Sequence, residues 1–223
     1  MGEQIKLTAA DDHTIGGYLA VPTGDIKGGI LVIQEIFGVN SHIREVCDGY
    51  AEAGYAALAP ALFDRVSQGI ELGYEGADME RAFAIVSGEL DHSKVPLDLQ
   101  AGISHLQQYG KVGVVGYCFG GTMAWLCACN DWGASCAVGY YGGGVAQNAV
   151  LQPQLPVMLH FGELDAHIPM TDVDKVRDSH PDVPVHVYNA DHGFNCDHRA
   201  SFDAAAAEEA LGRTLSFFAQ HVG

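Results

Sequence analysis

Positive charge is scarce in this chain: 11 Lys and Arg stand against 28 Asp and Glu, giving a formal net charge of −17 over 223 residues. A polyanion would be repelled, which argues against nucleic acid and anionic membrane surfaces as partners. An anionic small molecule would need a local cationic pocket working against the overall field. No apolar stretch is long enough to span a membrane. No opening segment joins a basic start to a long apolar run, so no secretory signal is expected and the expected compartment is the cytoplasm. The six cysteines, at positions 47, 118, 127, 129, 136 and 196, form no CxxC and no regular framework. Cys127 and Cys129 sit two apart on a predicted helix and so face different directions, and reduced thiols are the simplest account.

Several motifs are also missing. There is no Gly-x-Ser-x-Gly, so no serine elbow competes for the nucleophile's place. There is no HExxH, and the spacing of His186, His192 and His198 with Asp191 and Asp197 matches no zinc site, so no metal is expected. Gly142-Gly143-Gly144 follows a strand, but without GxGxxG or a P-loop lysine it reads as a flexible loop rather than a phosphate cradle. No cofactor is expected. Trp125 and Trp132 read as core or surface aromatics.

What is present is an ordinary globular composition, 48% hydrophobic and 17% charged, with no repeat, linker or low-complexity tract. The length suits one α/β domain spanning residues 1–223. Ile5 to Leu7 and Ile15 to Val21 flank Asp11-Asp12-His13 and predict an N-terminal hairpin. Ile30 to Ile33 is a continuous apolar run, as in a strand buried on both faces. Ser41 is the expected cap of a helix with Ile43, Val46, Cys47 and Tyr50 at helical spacing and Gly54 as its stop. Tyr55 to Ala59 predicts another strand, residues 63–76 a long surface loop, and residues 78–87 and 96–109 two amphipathic helices. Beyond the central strand the spacing predicts strands at Cys136 to Tyr141, Val157 to Phe161 and Val185 to Tyr188. Helices are predicted at Thr171 to Asp178 and Ser201 to Phe218. Strands alternating with helices imply a mainly parallel, doubly wound sheet with helices on both faces. In such sheets chemistry sits at the carboxyl ends of the strands.

The central stretch is KVGVVGYCFGGT, Lys111 to Thr122. Apolar residues run into a glycine-flanked turn and then a helix start. That is the context of a nucleophile elbow, with Cys118 in place of the usual serine, although a buried Cys in an ordinary strand-to-helix connection would read the same. A residue at the apex of such a turn is held beside helix N–H groups that can stabilise an anion. Asp165 lies in the loop after Val157 to Phe161, and His192 in the loop after Val185 to Tyr188. Nucleophile, acid, histidine is the α/β-hydrolase order. Cys118 is therefore the candidate nucleophile, His192 the general base, and Asp165 the group that fixes its tautomer. Glu35 follows the first buried strand among apolar neighbours, where a carboxylate is locally odd. It is either a polar residue at a strand mouth or a carboxylate aimed at the site. The amides of Phe119 and Ile36 are the candidate oxyanion hole.

QEIFGVN (Gln34 to Asn40), GYCFGG (Gly116 to Gly121), GYYG (Gly139 to Gly142), the Asp165 loop and the HGF of His192 to Phe194 together resemble the dienelactone hydrolase, or carboxymethylenebutenolidase, family. The resemblance covers almost the whole chain. It implies an α/β-hydrolase fold and the opening of an unsaturated lactone that carries a carboxylate, giving maleylacetate. It also implies that Glu35 takes part in activating a thiol that rests neutral until substrate binds, and that Tyr140 and Tyr141 lie near the site. Family enzymes hold the substrate carboxylate with two arginines. Arg81 stands near the first position. The second follows the catalytic His by four residues and is Cys196 here, with Arg199 three further on. The implied partner is a small-molecule lactone or ester, met by a monomer. A cysteine hydrolase of another lactone, ester or thioester is the alternative, and a thiol redox enzyme using Cys118 is a more distant one.

Overall fold

The computed structural model describes residues 2–223. The chain forms two compact units, residues 1–112 and 113–223. In unit one, β1 (Glu3–Thr8) and β2 (Thr14–Ala20) make the N-terminal hairpin, with Ile5 opposite Gly17. Its turn falls where Asp11-Asp12-His13 predicts it: Asp12 takes a left-handed φ of 63°, a region Asp tolerates better than most residues. β2 pairs antiparallel with β4 (Ala56–Pro60), which pairs parallel with β3 (Gly29–Ile33). Every residue of β3 and β4 is buried, the outcome expected of continuous apolar runs covered on both faces. α1 (Ser41–Glu52) and α3 (Val95–Leu106) both pack on this strand pair. Asn40, one residue ahead of the expected cap, caps α1 by accepting the Ile43 N–H.

The expected loop at residues 63–76 is partly ordered: a 3-10 turn covers Leu62–Arg65, and α2 (Gly76–Ala84) starts two residues earlier than the amphipathic pattern predicts and ends in a π-turn over Ile85–Glu89. Arg65 in that 3-10 turn holds Asp98 of α3 at 2.7 Å and Asp11 of the hairpin turn at 3.0 Å. This ion cluster has no amphipathic period to announce it.

Unit two carries a fully parallel set of strands in the order β5 (Val112–Tyr117), β6 (Cys136–Tyr140), β7 (Val157–Gly162) and β8 (Val185–Tyr188). α4 (Phe119–Cys129) lies against β6, and α6 (Ala204–His221) against β6 and β7. α5 (Met170–Ser179) matches its predicted span within a residue at each end. α6 starts three residues later than the sequence pattern suggests, because Asp203 is its cap: the carboxylate accepts the Ala206 N–H at 2.9 Å. β6 stops at Tyr140 because Tyr141 turns to a φ of 37°. Among the described residues no helix is long and apolar enough to cross a membrane.

Candidate active site

The elbow forms at the end of β5. Cys118 adopts φ 55° and ψ −111°, a conformation rarely held by a residue with a side chain and therefore a site of stored strain. Its N–H donates to the Tyr140 carbonyl at 3.0 Å, and its own carbonyl accepts from Gly121 N–H at 3.0 Å, starting α4. The flanking glycines are steric requirements. A Cβ on Gly116 would collide with the Gly120 carbonyl, and one on Gly121 with the Tyr140 carbonyl. Phe119 is the first residue of α4, so its amide belongs to the positive end of that helix. Cys118 is part-exposed, whereas the other five cysteines are buried, and all six are free thiols. Burial pushes the thiols of Cys127 and Cys136 up to about 12 and that of Cys129 to about 11. None of those three is poised as a resolving thiolate.

Asp165 sits in the loop after β7 with its side chain fully buried. One carboxylate oxygen, Oδ1, accepts the backbone N–H groups of His167 (2.8 Å) and Ile168 (3.2 Å). The other, Oδ2, meets His192 Nδ1 at 2.7 Å. The loops bearing the acid and the histidine are tied through their backbones. Glu163 N–H donates to the Tyr188 carbonyl (2.7 Å) and Leu164 N–H to the Ala190 carbonyl (3.0 Å). Cys118 also acts on the His192 ring, as a hydrogen-bonding and charge partner. The three side chains placed independently by the sequence are thus brought into one chain, all within unit two.

The electrostatics follow from this geometry. Burial opposes charge on His192, but the hydrogen bond and charge of Asp165, together with Cys118, outweigh it and push the imidazole up to about 10. Asp165 is also desolvated, yet the His192 hydrogen bond and the His167 amide hold its carboxyl below the usual carboxylate range. The sign for stability follows. A histidine raised from 6.5 to about 10 contributes fully below pH 6.5 and loses its contribution as pH rises through about 10. The lowered Asp165 contributes above its ordinary value of 3.8 and loses its contribution as pH falls through the lowered one. Thermal unfolding of wild type and Asp165→Asn should therefore show a gap in midpoint that is open at pH 6.5 and narrows toward pH 10. A gap constant across that range would show that the pair is not ionic.

The remaining candidates are placed less uniformly. The Tyr141 ring packs on His192, centroids 5.1 Å apart, whereas Tyr140 turns its hydroxyl to Thr214 at 2.7 Å in the interior of unit two. A strand's last residue and the left-handed residue after it cannot point the same way. The Arg199 guanidinium lies over the face of Gly193, where any Cβ would strike it, one residue beyond His192. Cys196, at the position the resemblance gives to arginine, is buried. Arg81 is exposed on α2 of unit one and forks onto Glu89, with Nη2 at 2.9 Å from one carboxylate oxygen. Glu35 is fully buried and Ile36 nearly so, just after β3. Of the histidines in the rejected zinc pattern, His186 stacks on His160 at 5.4 Å and His192 is held by Asp165.

Sequence reasoning missed His167, whose exposed ring stands edge-on to His192 at 5.4 Å. It also missed His160, a fully buried histidine in the apolar run of β7. A polar residue inside a continuous apolar strand was the available signal for His160, and a histidine two residues after the triad acid was the signal for His167.

A model of the dienelactone hydrolase family matches residues 15–222. Carboxymethylenebutenolidase 1 of Cupriavidus pinatubonensis is 30% identical, covering 98% of this chain and 97% of that protein. The carboxymethylenebutenolidase of Pseudomonas knackmussii is 33% identical, covering 97% and 96%. Among solved structures, one from Klebsiella pneumoniae superimposes with a TM-score of 0.83 at 28% identity, over 99% of this chain and 100% of that one. A dienelactone hydrolase from Anabaena variabilis gives 0.72 at 16% identity, over 100% and 99%, and speaks for the fold alone.

Proposed function

The chain belongs to the dienelactone hydrolase family, an α/β-hydrolase acting on ester bonds, and from that premise we propose that it opens an activated enol-lactone bearing a carboxylate by Cys118–His192–Asp165 catalysis. The observation that carries this reading is the unbroken chain from the buried Asp165 carboxylate through His192 to Cys118, with Cys118 on a strained elbow. The sulfur attacks the lactone carbonyl as thiolate, and the oxyanion forms at the α4 N-terminus against the Phe119 amide. The ring C–O bond breaks, and the departing enolate oxygen takes the proton that His192 holds. Water then attacks the thioester, His192 takes the proton released, and the carboxylate product leaves Cys118 free. A thiol nucleophile suits an enol ester, whose leaving oxygen is already stabilised, so unactivated esters and amides are poor substrates.

Glu35 and Ile36 enter as the resemblance assigns them, a carboxylate taking part in thiol activation and the second oxyanion amide. The resemblance implies a neutral resting thiol, whereas the surroundings of His192 favour an imidazolium at rest. For the substrate carboxylate, Arg199, whose guanidinium reaches Gly193, is the Lys or Arg nearest in sequence to His192, with Tyr141 as the aromatic wall. Arg81 would have to exchange Glu89 for substrate. Residues 1–223 act as one hydrolase domain, a monomer that needs no cofactor, and the near-complete coverage of full-length relatives supports the single domain.

A hydrolase of a different lactone or ester is the second reading, favoured by the buried Cys196 where the family places an arginine. Comparing kcat/KM for dienelactone and its neutral methyl ester separates the two. The lead reading expects the free carboxylate to be preferred about tenfold or more, the worth of one charge-assisted hydrogen bond. Equal values would overturn carboxylate selection and leave the second reading.

A further inference from the structure

Beneath the catalytic loops lies a polar network that the reaction does not use. β6, β7 and β8 each direct rings to one face of unit two. Tyr140 packs on His160 in a tilted pair at 4.5 Å, and His160 stacks on His186 at 5.4 Å. His160 has no exposed surface. Its Nδ1 lies 2.8 Å from the Tyr188 hydroxyl and its Nε2 3.2 Å from the Thr214 hydroxyl of α6. The Arg213 guanidinium donates to the Tyr188 hydroxyl at 3.0 Å. Arginine can only donate, so the Tyr188 oxygen accepts from it and the Tyr188 proton is available to His160 Nδ1; in that arrangement the imidazole carries its hydrogen on Nε2, toward Thr214. A neutral imidazole has one donor and one acceptor, and the network supplies one partner for each. Burial, His186 and Arg213 hold His160 well below its ordinary value, so it stays in that neutral form.

Two sets of contacts join this network to the triad. The Tyr188 carbonyl accepts the Glu163 N–H (2.7 Å) and the Ala190 N–H (2.8 Å), so one residue anchors the first residue after β7 and the start of the loop with His192. Phe194, two residues after His192 and fully buried, packs on the rings of Tyr188 (5.2 Å) and Tyr141 (5.4 Å), and Tyr141 in turn packs on His192.

We propose that the His160–Tyr188 pair is a positioning device that fixes Tyr188 and thereby sets the separation of Asp165 and His192. It rests on the hydrolase reading of the triad, but its readout does not require turnover. The first readout is the titration of the His192 imidazole, followed by NMR in substrate-free protein. The groups facing that ring within unit two are Asp165, Cys118, His167 and Tyr141. The second is kcat on an activated p-nitrophenyl ester, divided by the thiol titrated per molecule.

In Tyr188→Phe the His192 titration should move back toward 6.5 by about one unit. kcat per titrated thiol should fall about ten- to a hundredfold with KM within about twofold. Thr214→Ser, which keeps its hydroxyl, should match wild type in both. If Tyr188→Phe lowers only the thermal midpoint and leaves the His192 titration and kcat unchanged, the network is structural and the proposal is overturned. Should Tyr188→Phe fail to fold, Thr214→Val at the other ring nitrogen is read in the same way, and an unshifted titration overturns it. If wild type hydrolyses no lactone or ester, the hydrolase reading falls, while the NMR shift still decides whether the pair positions His192.

Discussion

Replacing Cys118 by alanine abolishes lactone and ester hydrolysis and leaves the protein folded. The two halves of this expectation have separate causes. Cys118 is part-exposed, and alanine keeps the Cβ, so the elbow strain is unchanged and the fold persists, losing only the share of the His192 shift that Cys118 contributes. The reaction, by contrast, loses the atom that forms the acyl intermediate. Removing the nucleophile from a catalytic triad costs on the order of 10⁴-fold or more in kcat, since the residual rate comes only from oxyanion stabilisation and binding. Steady-state hydrolysis of an enol-lactone, with circular dichroism and thermal unfolding as controls, checks both halves. Full activity in the folded variant would remove Cys118 from the mechanism. The loss of the Cys118 hydrogen bond should also bring the His192 titration down from its raised position.

Asp165→Asn has the second-largest expected effect. Asp165 Oδ1 is committed to the amides of His167 and Ile168, so an asparagine at this position would keep its carbonyl oxygen on those donors. Its NH₂ group must then face His192 Nδ1. A donor there forces Nδ1 to be the acceptor and moves the imidazole hydrogen to the nitrogen that faces Cys118, the wrong tautomer for taking a proton from sulfur. It also withdraws the charge that holds His192 protonated. The corresponding change in a Ser-His-Asp triad lowers kcat by about 10⁴. With an intrinsically more nucleophilic thiol, about 10² to 10⁴ is expected here, with KM little changed. Retention of activity within threefold would mean that Asp165 does not set the histidine's tautomer.

Much of the site was legible because its residues are announced locally. The elbow is written in six consecutive residues, whose glycines are needed for reasons visible within the same turn. Asp165 and His192 each follow a short apolar strand, and topology places such loops at one end of a parallel sheet. The less legible features depend on partners far away in sequence. His160 meets Tyr188 across 28 residues and Thr214 across 54, and Tyr140 meets Thr214 across 74. Nothing in a local window distinguishes Tyr140 from Tyr141, yet the turn to positive φ between them places one ring on His192 and the other in the interior. Arg81 reads as a free cation on an amphipathic helix, but the π-turn after α2 brings Glu89 back to it.

The sequence by itself therefore determined the order of elements in each unit and the family, and it singled out Cys118, Asp165 and His192 as the candidate site. Those depend on apolar periodicity, glycine sterics and chain order, which are properties of neighbouring residues. Only the tertiary structure decided that Asp165 has one oxygen for backbone and one for His192, that these surroundings push the imidazole's titration upward, and that the Arg199 guanidinium reaches Gly193 while Cys196 is buried. It also decided that the buried His160 meets the Tyr188 hydroxyl, whose residue's carbonyl ties the loops of Asp165 and His192. Hydrogen-bond direction, desolvation and ring packing are set by atoms brought together from distant parts of the chain, and no local pattern encodes them.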